Sequence, residues 1–199
     1  MNNSQTPLFG LILSGGKSTR MGTDKGLITY HGIPQREYLY KLLQTVCEDV
    51  YMSIRPEQKE EFKEETNLIL DKNEYRGPYN GLLSANSEFP NVAWLVVACD
   101  MPLLNKSALE QLLQERKSAK IATAFATKES GLPEPLCAIW ELQALKDSIA
   151  YLQAGNGTCP RKFLINADTA LVFPERDVVL WNANSREEYE EAIVKINSI

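Results

Sequence analysis

Histidine and paired cysteine are scarce in this sequence. Among 199 residues there is one histidine, His31, and the four cysteines (Cys47, Cys99, Cys137 and Cys159) stand far apart with no C-x-x-C pair. That spacing argues against a zinc site and against a thioredoxin-like redox motif. Cys47, Cys99 and Cys137 lie in apolar stretches, as reduced buried thiols do, so no structural disulfide is expected. A basic surplus is missing too: 21 Lys and Arg face 26 Asp and Glu, giving a net charge of −5 and a pI near 5.1. A duplex nucleic-acid binder needs a basic face to neutralise phosphates, so nucleic acid is not an expected partner. No apolar run reaches the roughly 20 residues that a membrane helix needs. The opening Met-Asn-Asn-Ser-Gln-Thr-Pro has neither the basic start nor the apolar core of a signal peptide. The expectation is a cytoplasmic protein with no membrane contact.

What is present is a globular composition, 44% hydrophobic and 24% charged, at a length that suits one domain over residues 1–199. Short apolar runs alternate with amphipathic stretches along the chain. Strands are predicted at residues 8–14, 49–54, 67–70, 93–98, 121–127, 135–140 and 178–181. Helices are predicted at 35–47, 81–87, 106–116, 142–153 and 160–165, with a charged helical turn at 57–65. A last helix starts at Ser185, where Ser185 and Glu188 have the spacing of a capping box. This alternation predicts an α/β protein, a three-layer α/β/α fold on a mainly parallel, Rossmann-like sheet. Ligands of such sheets bind beyond the carboxyl ends of the strands, which directs attention to the residues that follow each predicted strand.

Directly after the first predicted strand comes Leu13-Ser14-Gly15-Gly16-Lys17-Ser18-Thr19-Arg20-Met21-Gly22-Thr23-Asp24-Lys25. Gly15 and Gly16 let the backbone turn sharply and bring its N–H groups close to an anion, because no Cβ stands in the way. Arg20 and Lys25 add cations. Backbone dipoles and two cations in one place are what the binding and reaction of a triphosphate require. Neither of the common phosphate loops is present: the glycine that a P-loop places five positions before Gly16 is Leu11, and G-x-G-x-x-G spacing is absent.

The pattern Leu-x-Gly-Gly-x-Ser-x-Arg-Met-Gly-x-Asp-Lys resembles the opening motif of the nucleotidyltransferases of GT-A-like fold, and most closely that of the molybdenum cofactor guanylyltransferases. The likeness extends in order through Ile69-Leu70-Asp71, Gly77-Pro78-Tyr79-Asn80-Gly81, Ala98-Cys99-Asp100-Met101-Pro102 and Asn182-Ala183-Asn184-Ser185. It implies transfer of GMP from GTP to molybdopterin with release of pyrophosphate, in the presence of Mg²⁺. The nucleotide-binding residues so implied are Leu13, Ser14, Gly15, Gly16, Lys25, Asp71 and Asp100, with Arg20, Lys25 and Asp100 as the catalytic set. Other proteins of molybdenum cofactor assembly are implied as transient partners.

Asp100 closes the most apolar predicted strand, where an ionised carboxylate is costly unless it faces a polar site or a cation. Magnesium takes one or two carboxylates and completes its shell with phosphate oxygens and water. The resemblance makes Asp100 that ligand and places Asn184 beside it. Asn182 and Asn184 also have an ordinary reading as turn residues before a capped helix. Asp71 closes a short predicted strand, where it could accept hydrogen bonds from the base or ribose of a nucleotide, and by the same resemblance it holds the guanine nucleotide; simple turn chemistry is the lesser alternative. One departure bears on the base: Ser53-Ile54-Arg55-Pro56 stands where some members carry asparagines after the second strand. Guanine is therefore less firmly specified than triphosphate, and three rivals stay open. They are a cytidylyltransferase acting on molybdopterin, a nucleotidyltransferase for another small phosphate, and a non-catalytic nucleotide-binding regulator. His31, in a Tyr-His-Gly turn, reads as a surface residue, and Trp94, Trp140 and Trp181 as core.

Overall fold

A computed structural model of the chain describes residues 6–16, 24–62 and 64–198. Seven strands make one sheet: β1 (Leu8–Leu13), β2 (Val50–Ile54), β3 (Leu68–Leu70), β4 (Ala93–Ala98), β5 (Ala122–Ala126), β6 (Pro133–Trp140) and β7 (Thr169–Val172). Their spatial order is β3-β2-β1-β4-β6-β5-β7. The first four strands pair in parallel, β7 runs parallel to β5, and β6 is antiparallel to both its neighbours.

Side-chain alternation along the strands builds two apolar layers. Leu8 and Ile12 of β1, with Leu95 and Val97 of β4, face α1 (Gln35–Leu43) and α3 (Lys106–Gln114). Leu11, Trp94 and Val96 face the opposite way, against α2 (Pro78–Glu88), α4 (Leu142–Gln153) and α5 (Pro160–Asn166). With both faces covered, all six residues of β4 are buried, which explains why its sequence is a continuous apolar run. The result is the three-layer α/β/α arrangement with a mainly parallel sheet. Among the described residues, no helix is long and apolar enough to cross a membrane.

Several predicted ends shift, α1 stopping at Leu43 and β6 starting at Pro133 among them, and three departures have a clear physical reason. Residues 178–181 are no strand: Asp177–Leu180 is a 3₁₀ turn that presses Val179 and Leu180 into the first apolar layer. Periodicity cannot assign so short an apolar run. The strand β7 was missed because it is a four-residue edge strand with mostly partial burial, which leaves no clean alternation. Finally, α2 begins at Pro78, three residues before the predicted start. Gly77 takes φ 63°, a conformation that favours glycine, and Pro78 at the first helical position has the φ a helix needs. The last helix, α6 (Arg186–Ile196), is capped by Ser185 and Glu188 as the spacing predicted. It packs on Tyr30 and Ala183, beside a half-buried Trp181.

Because β3, β2, β1 and β4 are adjacent and parallel, their carboxyl ends lie along one edge. Ser14, Ser53, Asp71 and Asp100 all follow or end these strands, so the topology alone brings them together.

Candidate active site

At that edge a cavity of about 480 Å³ opens, lined by Leu13, Ser14, Gly15, Gly16, Lys25, Asp71 and Asp100 among others. Seven residues singled out from the sequence thus share one wall. Small-molecule sites are commonly about 300–1,000 Å³. Arg20, also singled out, lies outside the described residues.

One end of the cavity is built around Asp71, which is only 7% exposed. Ser53 Oγ donates to Asp71 Oδ1 at 2.5 Å, and the Asp71 N–H continues the sheet by donating to the Ile54 carbonyl at 2.8 Å. Burial pushes the Asp71 carboxyl above its ordinary range, against the opposing pull of side-chain hydrogen bonds from Ser53 and Asn80 and of the Arg55 charge. The packing here is close enough to demand glycine. A Cβ on Gly15 would collide with the Asp71 carboxylate, and one on Gly81 with Ser53 Oγ. Ser53 and Asn80, both lining the cavity, stand in segments that the sequence singles out but carry no site role there, since nothing in the residue order shows that either side chain meets Asp71.

At the other end stand Lys25 and Asp100, with Asn184, which is not on the lining, behind Lys25. Asp24 caps a 3₁₀ turn over Lys25–Leu27 by accepting from the Gly26 N–H at 2.9 Å, and so fixes where Lys25 starts. Lys25 Nζ donates to Asn184 Oδ1 at 2.5 Å and reaches Asp100 Oδ2 at 3.4 Å. Asn184 is steadied in turn by Glu188, whose carboxylate accepts the N–H groups of Asn184 and Ser185. The chain around Asp100 is pinned by donors from elsewhere: Ala183 N–H to the Asp100 carbonyl at 2.8 Å, Gln35 to that of Met101, and Tyr38 to that of Leu104. His31 belongs to this frame. It is half-buried, stacks on Tyr38 and donates through Nε2 to the Pro102 carbonyl at 2.8 Å, so it is not the plain surface residue expected.

A carboxylate oxygen and an amide oxygen converging on one ammonium form a pair of hard donors suited to a cation. No group of three His, Cys, Asp or Glu among the described residues could hold a metal ion. Asp100 Oδ2 and Asn184 Oδ1, both facing the Lys25 ammonium, are the oxygens here whose chemistry suits a divalent cation.

Residues 10–170 match the family described as the MobA-like NTP transferase domain. The chain belongs to this family. A MobA-like transferase is a nucleotidyltransferase, so the enzyme class expected from the opening motif holds. Over 189 residues the chain is 40% identical to the molybdenum cofactor biosynthesis bifunctional protein of Synechocystis sp., covering 94% of this chain but 54% of that protein. The chain thus spans about half the length of that relative. It is 31% identical to a probable molybdenum cofactor guanylyltransferase of Clostridium perfringens, with 92% of this chain and 95% of that one covered. Among solved structures, molybdopterin-guanine dinucleotide biosynthesis protein A from Archaeoglobus fulgidus shares the fold at a TM-score of 0.77 and 20% identity, over 96% and 100% of the two chains.

Proposed function

We propose that this MobA-like transferase moves GMP from GTP to molybdopterin and releases pyrophosphate. The observation that carries the reading is the cavity itself: Lys25 and Asp100 stand toward one end, the buried Asp71 toward the other, and the glycine loop runs between them with Gly15 packed against Asp71. A nucleoside triphosphate has that same polarity, anionic at one end and hydrogen-bonding at the other. The names of the relatives at full-length coverage point to guanylyl transfer and to the molybdenum cofactor.

In the proposed reaction the terminal phosphate of the acceptor attacks the α-phosphorus of GTP. A new acceptor O–Pα bond forms as the Pα–O bond to the β-phosphate breaks, and the electron pair leaves with pyrophosphate. The attacking oxygen is already ionised, so no general base is needed. Positioning and charge neutralisation carry the catalysis. Lys25 and the loop N–H groups neutralise the triphosphate, and Arg20 is assigned to the same task. Asp100 and Asn184 would hold Mg²⁺, which when bound supplies further charge stabilisation to the phosphates. Asp71 would accept from the N1–H and exocyclic amine of guanine, a donor pair that cytosine lacks. A cytosolic setting suits an enzyme that consumes GTP.

Competition titrations of GTP, CTP and ATP with Mg²⁺ test the base, and pyrophosphate release with molybdopterin tests the acceptor. GTP is expected to bind most tightly. Tighter binding of CTP would transfer the reading to a cytidylyltransferase, and triphosphate binding without pyrophosphate release would favour a regulator.

A further inference from the structure

The segment Ser53-Ile54-Arg55-Pro56, which departs from the family pattern, has a distinct task in the structure. Arg55 Nη1 donates to the carbonyl of Gly15 at 2.7 Å and to that of Gly16 at 3.1 Å. Three residues on, Gln58 Nε2 donates to the Ser14 carbonyl at 3.3 Å and to Asp24 Oδ2 at 2.7 Å. Every carbonyl of Ser14, Gly15 and Gly16 is thus taken by a side chain from one short 3₁₀ turn, Pro56–Glu61 with Arg55 as its cap. Gln58 is 1% exposed and holds both ends of the glycine-rich loop through a single amide nitrogen. Its own oxygen accepts the Arg55 N–H at 2.9 Å, which fixes which way the amide faces.

A peptide unit is planar and trans, so its N–H points opposite to its C=O. With the Ser14 and Gly15 carbonyls turned toward Arg55 and Gln58, the N–H groups of Gly15 and Gly16 point away from that turn. Neither N–H donates to another described residue. They are left as donors for an anion in the cavity that both glycines line. We infer that Arg55 and Gln58 are positioning residues of the phosphate loop: they take up its carbonyls and thereby aim its amides at the triphosphate. The inference rests on the proposed triphosphate site and adds the residues that orient it. Gln58 is the informative member, being neutral and absent from the cavity wall.

The test is calorimetric titration of inorganic tripolyphosphate with Mg²⁺, and of guanosine separately, on wild type, Arg55→Ala, Gln58→Glu and Gln58→Ala. Gln58→Glu keeps the shape and the acceptor for Arg55 but sets a carboxylate against Asp24 and the Ser14 carbonyl. Tripolyphosphate affinity is expected to fall about tenfold or more in the Arg55→Ala and Gln58→Glu variants, as the loss of oriented charge-assisted contacts demands. In the Gln58 variants guanosine affinity should stay within about twofold of wild type, which also shows that they are folded; Arg55→Ala, whose missing charge also acts on Asp71, is shown to be folded by a cooperative melting transition. Added guanidinium should restore part of the binding to Arg55→Ala. If Arg55→Ala weakens tripolyphosphate while both folded Gln58 variants bind it normally, Arg55 is a direct phosphate cation and the inference is wrong. A wild type that binds guanosine but not tripolyphosphate overturns the triphosphate reading first, and this inference with it.

Discussion

Lys25 Nζ stands 3.4 Å from Asp100 Oδ2, so an ammonium occupies the position that the proposed function gives to a metal ion. Asn184 Oδ1 accepts from the same ammonium. A divalent ion on that pair of oxygens would repel the ammonium, so Lys25 is expected to move toward the triphosphate, which offers it another acceptor, when the ion binds. Lys25→Met is therefore expected to bind Mn²⁺ several-fold more tightly in the absence of nucleotide. The same variant should bind GTP less well, since a charge-assisted contact is worth roughly 1.5–3 kcal/mol. Electron paramagnetic resonance of Mn²⁺ reads the first effect directly. An unchanged Mn²⁺ affinity would separate Lys25 from the metal position.

The Asp71 carboxyl gives a pH-dependent expectation. Burial destabilises its ionised form, so its folded value lies above the unfolded one, near 3.8. The contribution to stability is complete below the unfolded value and is lost as pH rises through the raised folded value. Asn is neutral throughout. Asp71→Asn should thus melt at or above the wild-type temperature near neutral pH, and the gap should close as pH falls through the raised Asp71 value. GTP affinity should drop at neutral pH all the same, because an amide cannot accept both guanine donors through one group. Thermal melts across the acidic range check this. A variant less stable than wild type near neutrality would mean that the Ser53 hydrogen bond outweighs the burial of the charge.

Much of this site is legible from residue order because backbone chemistry writes it. Gly15 and Gly16 behind a buried strand, and Asp100 after an all-apolar one, signal a ligand edge from residue order alone. Helix α6 is equally plain, since a capping box is local. What stayed hidden is what depends on distance in space. Arg55 grips a loop about forty positions away, Gln58 joins residues 14 and 24, and His31 braces the carbonyl of Pro102. No periodicity records such contacts. The misread 3₁₀ turn at Asp177–Leu180 fails for a related reason: four apolar residues satisfy a strand or a turn, and the packing partner decides.

A buried ion pair away from the cavity provides a stability control. Arg116 donates to Glu141 through Nε at 2.7 Å and Nη2 at 2.9 Å, with both side chains 6% exposed. The pair ties the end of α3 to the residue that precedes α4. Removing one member strands the other charge, which typically costs about 3–5 kcal/mol. Arg116→Ala should lower the melting temperature strongly while leaving GTP affinity unchanged in the folded fraction. A loss of affinity without a loss of stability would contradict the assignment of this pair to the frame alone.

Gly81 tests how tightly the proposed base pocket is closed. It lies inside α2, where alanine normally stabilises by about 1 kcal/mol relative to glycine. In this fold a Cβ at that position would meet Leu13 Cδ2 at 2.8 Å and collide with Ser53 Oγ. The serine hydroxyl has to swing aside, and the hydrogen bond it donates to Asp71 goes with it. Gly81→Ala is therefore expected to reverse the usual sign and melt below wild type, and to weaken GTP far more than inorganic tripolyphosphate, which lacks the base assigned to Asp71. Gly16→Ala is the matched control: no described atom lies within 4 Å of a Cβ there, so its melting temperature should equal that of wild type. Differential scanning calorimetry and the two titrations decide the matter. If Gly81→Ala melts higher than wild type and keeps its GTP affinity, the contact between α2 and Ser53 is not what shapes the pocket around Asp71.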